Sequence, residues 1–200
     1  MLRQGFSRIA ALAAVIMVAA TLAGCGVNNI PTYEQSAKAR WSEVLSQYKR
    51  RSDLIPNLVE TVKGFADQEK NVLTSVIEAR AKASQAQVNL PADVLTNPEA
   101  MKRFQDAQNS LGGALRQLMV VAERYPDIKS GQNFLALQSQ LEGTENRIAI
   151  ARRDYNEAVR DFNTKIKVMP GALVARLMGF KEKAFFEAAP GSETVPKVKF

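Results

Sequence analysis

The sequence predicts an all-α protein, an elongated antiparallel bundle of three to four long helices with an extended C-terminal tail. Apolar residues recur every seven positions along much of the chain, which is typical of helices packed along a seam. No run alternates apolar and polar residues as a central sheet would require. The longest seven-residue series is Phe134, Leu141, Ile148, Tyr155, Phe162 and Met169, with Leu137, Thr144, Ala151, Ala158 and Lys165 three residues after each of the first five.

Residues 1–24 are predicted to be a lipoprotein signal peptide. Arg3 and Arg8 give a basic start, and residues 9–20 are uninterruptedly apolar. The stretch up to residue 23 is about 15 positions long, which is short for a transmembrane helix of about 20 residues. The exit sequence Leu22-Ala23-Gly24-Cys25 resembles a bacterial lipobox.

The lipobox predicts cleavage before Cys25 and attachment of lipid to its thiol, the only thiol in the chain. Two or three acyl chains hold a protein to a membrane far more firmly than one does. The alternative is an ordinary signal peptide whose single Cys happens to follow a Gly. The predicted location is the bacterial cell envelope, lipid-anchored to a membrane, which would be the outer membrane or the periplasmic side if two membranes are present.

The first helices follow a short tether at residues 25–32. Thr32 is expected to cap the first helix, and Pro56 is expected to produce a kink or a brief break. The apolar pattern then continues to about Ala83, and residues 85–97 form a polar connector.

The third helix starts at Asn97-Pro98-Glu99, which combines a capping side chain, a Pro in the first turn and an acid near the helix N-terminus. Pro126 is expected to end it, and Pro170-Gly171 to end the last long helix. The predicted organisation is a signal peptide (1–24), a tether (25–32), the helical bundle (33–170), and a short helix with an extended tail (171–200).

The composition excludes several kinds of chemistry. The chain has no His and a single Cys, so it lacks a His-based nucleophile system, a His-ligated metal and a thiolate cluster. The sequence also has no stretch with the spaced acidic residues and the Gly of a calcium-binding loop. We therefore expect no catalytic residues, no metal and no cofactor.

The densest polar group in the sequence lies around Pro56. Arg50, Arg51 and Lys63 are candidate contacts for a partner or a lipid headgroup, and Asp53 and Glu60 lie beside them. The favoured interpretation is structural, with these charges bracing the kink and a break at Pro56 bringing Arg51 to Asp53. Arg152 and Arg153 are expected to form a solvated face.

A polar layer is expected in the last long helix at Thr144, flanked by Glu142, Glu145, Asn146 and Arg147. Such a layer usually sets the register between helices, and a buried binding site is the second interpretation. Glu69 shares a stripe with Leu73 and is the expected partner of this layer.

The net charge indicates the kind of partner. The chain carries 27 basic and 20 acidic residues, a formal charge of +7, and loss of Arg3 and Arg8 with the signal peptide leaves +5. A basic exported protein is attracted to anionic headgroups or wall polymers, and nucleic acid is not an expected partner. A solvated basic surface without a partner is the alternative.

Several stretches together resemble the LemA family of bacterial envelope proteins. They cover residues 41–200 and include KRRSDLIPNLVETVKGFA (49–66), AERYPDIK (122–129), NFLALQ (133–138), LEGTENRI (141–148), ARRDYN (151–156), GF (179–180) and PKVKF (196–200). The resemblance implies a helical bundle tied to a membrane at its N-terminus, without a settled biochemical activity, among relatives linked to envelope and organelle-membrane processes. Members commonly have an N-terminal transmembrane helix rather than a lipobox. Many also have a His after Gly64, where residues 66–69 here read ADQE.

The sequence therefore predicts a membrane-anchored envelope scaffold or adaptor, without catalytic activity, that binds a protein partner through its helical faces. The alternative is a lipid- or wall-associated module that acts through its basic charge. The partner and the oligomeric state are left open.

Overall fold

The computed structural model describes residues 13, 29–63 and 69–187. Every regular element of this part of the chain is helical, so the all-α prediction is confirmed. In chain order the elements are α1 (Asn29–Val62), α2 (Lys70–Val88), a 3₁₀ turn (Val94–Thr96), α3 (Pro98–Ala122), α4 (Pro126–Lys129), α5 (Gln132–Lys167) and α6 (Gly171–Met178). Apart from residue 13, the predicted signal peptide lies outside the described residues, and so does Cys25.

Helix α1 differs from its prediction at its start and at Pro56. It begins at Asn29, so Thr32 lies inside its first turn and does not cap it. It also continues through Pro56 to Val62 without a break. A proline nitrogen cannot donate to the carbonyl four residues earlier, which here belongs to Ser52. That oxygen accepts a hydrogen bond from Arg80 Nε instead, at 2.9 Å.

The start of α3 is as predicted. The Asn97 side-chain oxygen accepts from the Ala100 backbone N–H at 3.1 Å, and Pro98 occupies the first turn. Helix α2 extends five residues beyond the predicted end at Ala83, to Val88, so the connector before α3 is shorter than expected.

The heptad pattern of α5 is correct over most of its length. The five residues of the series from Phe134 to Phe162 are at most 5% exposed. Met169 is 69% exposed, and its prediction as a core residue is wrong, because α5 ends at Lys167. Val159 and Ile166 are buried in place of the predicted Ala158 and Lys165. A straight helix drifts relative to a strict seven-residue repeat, which accounts for this change of face.

The described chain forms two compact units. In the first, residues 29–39 and 157–183, the core is built from Ile30, Phe162, Ile166 and Ala175. The second unit comprises residues 40–156 and 184–187, and its core draws on α1, α2, α3, α4 and α5. Representative core residues of the second unit, one from each of these helices, are Leu58, Val76, Leu111, Ile128 and Leu141.

The extended segment after α6 is held by asparagine side chains of α5. In the first unit, Asn163 donates to the Lys183 carbonyl and accepts from its N–H, both at 2.9 Å. In the second unit, Asn156 makes the same pair of bonds with Phe186, at 3.0 and 2.9 Å. A side-chain amide that pairs with a backbone amide in this way satisfies the polar groups of a segment without a neighbouring strand.

Candidate functional site

Arg51 points into the second unit. Its side chain is 3% exposed, and it donates from Nη2 to the backbone and side-chain oxygens of Gln108 at 2.9 and 2.8 Å. Nη1 donates to Glu145 at 2.9 Å, and the guanidinium lies 5.0 Å from the Tyr48 ring centroid. The expectation that Arg51 meets Asp53 is therefore wrong. Arg51 is buried rather than exposed, and its role as a partner or headgroup contact stays a prediction.

The other charges around Pro56 stay on the surface. Asp53 pairs with Lys49 at 3.0 Å, one turn earlier, and Lys63 pairs with Glu60 at 3.5 Å. Arg50 and Lys63 are exposed, and their role as partner or headgroup contacts stays a prediction. The cluster does not assemble because an unbroken helix directs these side chains to different faces.

A polar cavity of about 430 Å³ lies beside Arg51 in the second unit. Its charged lining residues are Arg51, Arg116, Arg152 and Glu145, so cations outnumber anions by three to one. Arg116 makes no hydrogen bond or ion pair with the described part of the chain. Burial raises the pKa of the Tyr48 hydroxyl at the cavity wall. The positive charges of Arg152 and Arg51 lower this pKa, but the effect of burial is larger. The cavity is suited to an anionic group.

An apolar groove of about 570 Å³ continues from this cavity along α3 and α5. The two share Gly112, Arg116 and Glu145 as lining residues. A Cβ on Gly112 would lie 3.6 Å from Arg51 Nη1 and 4.0 Å from Arg116 Nη1, so the missing side chain leaves space beside both guanidiniums. The apolar lining residues are Leu115, Met119, Val120 and Leu141. We call the cavity and the groove together the α3–α5 groove.

Arg152 is not on a solvated face, contrary to its prediction. It is half-buried, donates to the Glu187 carbonyl at 2.8 Å and lies 4.8 Å from the Phe186 ring centroid. The segment at residues 184–187 covers it, and nothing in the helical pattern of α5 indicates that cover. Arg153 is exposed, as predicted.

The polar layer around Thr144 also differs from its prediction. Thr144 is fully buried and donates to the Gln140 carbonyl of its own helix at 2.7 Å. Glu69 is not its partner, because its carboxylate accepts from the Tyr125 hydroxyl at 3.3 Å. Of the residues flanking Thr144, Glu145 reaches another helix, at Arg51.

A second buried charge, in the first unit, was not predicted. Lys183 is 4% exposed, and its Nζ donates to Glu34 at 3.0 Å and lies 4.7 Å from the Phe162 ring centroid. Partial burial alone would raise the pKa of Glu34, but the hydrogen bonds and charges of Lys183 and Lys38 outweigh it and lower the pKa. This pair joins the extended segment to α1 and has the character of a structural ion pair.

The described residues contain neither a candidate metal site nor a candidate membrane-spanning helix. No group of three or more Cys, Asp or Glu side chains in this part of the chain is arranged to hold a metal ion. None of its helices is both long enough and apolar enough to cross a bilayer.

Comparison with known proteins identifies relatives over most of the chain. Magnetosome proteins MamQ 1 and MamQ 2 of Paramagnetospirillum magneticum are each 27% identical over 181 residues, 84% of this chain and 66% of theirs. Protein LemA of Metamycoplasma hominis is 28% identical over 141 residues, 70% of this chain and 59% of its own. The chain thus spans just under two thirds of the length of the magnetosome relatives. Since the model of the LemA family matches residues 40–200, the chain belongs to the LemA family.

Proposed function

We propose that this protein is a membrane-associated, non-catalytic envelope scaffold that binds a partner protein in the α3–α5 groove. The proposed occupant is an amphipathic segment, such as a helix, that places an acidic side chain in the polar cavity and apolar side chains in the groove. Membership in the LemA family and the lipobox at Cys25 support the membrane association.

The single observation that carries partner binding is the continuity of a cationic cavity with an apolar groove. Amphipathic helices commonly dock in hydrophobic grooves, with apolar side chains as anchors. Arg116 supplies an available cation, and a guanidinium can bind a carboxylate with two parallel hydrogen bonds. The apolar half offers Leu115, Met119 and Val120 on one side of α3. Both halves of such a segment are therefore matched by one continuous surface.

The described residues offer no catalytic arrangement. The titratable groups of the groove are three arginines, Glu142, Glu145 and Tyr48. Arg51 and Glu145 neutralise each other, and Glu142 accepts a hydrogen bond from Gln138 of its own helix at 3.0 Å. An arginine is always charged and cannot act as a base near neutral pH. The groove is accordingly proposed to bind and not to transform its occupant.

Site-specific photocrosslinking in cells tests this proposal. A benzophenone amino acid is placed at Val120, a 56% exposed residue of the groove, and at Ile77, a 52% exposed residue of α2 that lines neither half. We expect a protein adduct from Val120 alone, and an adduct peptide with acidic and apolar residues.

The adduct should depend on the groove itself. Arg116→Glu reverses the available charge, and Gly112→Leu adds volume where the two halves meet. Both should reduce the Val120 adduct at least about tenfold, equivalent to 1.4 kcal/mol of binding, whereas Arg103→Glu, on an exposed part of α3 outside the groove, should not. An adduct that survives both groove variants, or that forms equally at Ile77, would refute binding in the groove.

A further inference from the structure

The surface of the first unit carries a concentration of exposed apolar side chains in and just before α6. Leu177 is 88% exposed, Met169 69% and Leu173 65%. Soluble proteins expose single apolar residues routinely, but a group of large exposed apolar side chains within eleven residues of chain is typical of an interaction site. The members of this group, called the α6 patch below, are Val168, Met169, Leu173, Leu177 and Met178.

The α6 patch lies on the solvent side of an amphipathic helix. Leu173 and Leu177 are four residues apart and therefore share a face, while Ala175, on the other side, packs in the core with Ile30. The inner face of α6 is thus already buried within its own unit. The outer face carries Leu173 and Leu177 beside Arg176, and nothing from the described residues covers these two leucines.

The position of α6 in the chain's topology indicates what covers the patch. Its core partner Ile30 belongs to the first turn of α1, which begins at Asn29, only four residues after Cys25. Four residues span at most about 14 Å of extended chain. If Cys25 is acylated, the first turn of α1, which shares a core with α6, begins within that distance of the anchored residue.

The charges of the same unit favour an anionic surface. Residues 29–39 and 157–183 contain seven basic and four acidic residues. Arg176 and Lys181, at and just after α6, make no ion pair with the described part of the chain. Apolar side chains flanked by basic ones are typical of helices that lie in the headgroup region of a membrane.

We propose that the α6 patch inserts into the anionic lipid leaflet that holds Cys25, as a second point of membrane contact. This inference rests on the membrane association in the proposed function and adds the surface that touches lipid. The apolar side chains would be buried at the boundary between the headgroups and the acyl chains. Arg176 and Lys181 would bind the phosphate groups of the lipids. A second copy of the chain or another protein on the patch is the competing outcome.

Crosslinking to lipid in cells tests the patch directly. The benzophenone amino acid is placed at Leu177 in the full chain, with Ile77 of α2 as a matched exposed apolar control. We expect a phospholipid adduct on the peptide that contains residue 177 and none on the peptide that contains residue 77. A protein adduct at Leu177, or no adduct while the protein is in the membrane fraction, would overturn the inference. A protein absent from the membrane fraction would instead refute the proposed membrane association, and the patch proposal with it.

Vesicle binding of the purified full-length protein provides a second measurement. We expect Leu173→Ser with Leu177→Ser to weaken binding to phosphatidylglycerol-containing vesicles at least tenfold once lipase has removed the ester-linked acyl chains. The pair Ile77→Ser with Ile150→Ser, at exposed positions of the second unit, should leave binding unchanged. Equal binding by both pairs would contradict a role for the α6 patch.

Discussion

Arg80 Nε donates to the carbonyl oxygen of Ser52, at 2.9 Å, in place of the backbone N–H that Pro56 lacks. The hydroxyls of Ser52 and Ser84 lie 3.0 Å apart at the same contact between α1 and α2. The proline therefore does not interrupt α1, because a side chain of the adjacent helix satisfies the carbonyl that the proline leaves unpaired. The missing helical bond becomes a tertiary bond between two helices.

We predict that Arg80 and Pro56 are energetically coupled. Arg80→Met leaves the Ser52 carbonyl without its partner and should lower the free energy of unfolding by about 1–3 kcal/mol. In a Pro56→Ala background the backbone N–H at position 56 restores the helical bond, so the same substitution should cost less. Urea unfolding of the four proteins in this cycle measures the coupling. Lys82→Met, on an exposed position of α2, is the control. Equal costs in both backgrounds would show that Arg80 does not substitute for the missing bond.

We predict that the two neighbouring arginines near Pro56 differ sharply in their effect on stability. Arg51→Met removes the bonds to Gln108 and Glu145 and should destabilise the protein by at least about 2 kcal/mol. Arg50→Met, on the exposed face, should change stability by less than about 0.5 kcal/mol. Thermal and urea unfolding give both values. Similar losses of stability in the two variants would mean that the buried bonds of Arg51 do not stabilise the fold.

The Glu34–Lys183 pair predicts a loss of stability in acid. The pKa of Glu34 is lowered in the folded state, so the unfolded state binds the proton more readily. The stabilisation is therefore fully present above the ordinary pKa of 4.5 and is lost as the pH falls through the lower folded-state pKa. We expect Glu34→Gln to destabilise the protein at pH 7 and to have a smaller effect at pH 3. Glu78→Gln, at an exposed position, should show no such dependence. A constant effect of Glu34→Gln across this range would contradict the assignment.

The pattern of buried positions in α1 explains how much the sequence could predict. Buried residues recur at alternating steps of three and four along the helix: Ala37, Trp41, Val44, Tyr48, Arg51, Ile55, Leu58 and Val62. Arg51 occupies a regular core position in this series, and Glu34 lies three residues before its first member. Spacing alone could therefore have placed Arg51 on the inner face. Because Arg51 is charged, it was expected to be exposed. Gln108 and Glu145, whose hydrogen bonds offset the loss of water around the buried guanidinium, lie on other helices.

Other features depended on contacts that are distant in sequence. The extended segment at residues 181–187 is held by Asn156 and Asn163, which are seven residues apart in α5. That spacing matches the seam, but it does not reveal which segment the two amides bind. The heptad series itself was informative from Phe134 to Phe162 and failed at Met169, beyond the end of the helix. The spacing of apolar residues therefore predicted the buried core. The groove could not be predicted, because it depends on polar contacts between residues that are far apart in the sequence.

We predict that Cys25→Ala prevents lipid anchoring. The variant should accumulate as an uncleaved precursor or leave the membrane fraction, because the thiol of Cys25 is the predicted site of acylation. Intact-mass measurement of the wild-type protein should show a chain that starts at Cys25 and carries added acyl mass. A wild-type protein that retains residues 1–24 without lipid would disprove the anchor.

The most direct test of partner binding in the α3–α5 groove is a charge swap between Arg116 and the residue that it contacts. The Val120 adduct first identifies the partner peptide, and an Asp or Glu in that peptide is then changed to Lys. We expect the partner variant to lose binding to the wild-type protein and to regain at least part of it with Arg116→Glu. Failure of every acidic position in the peptide to restore binding to Arg116→Glu would contradict recognition of an acidic side chain in the groove.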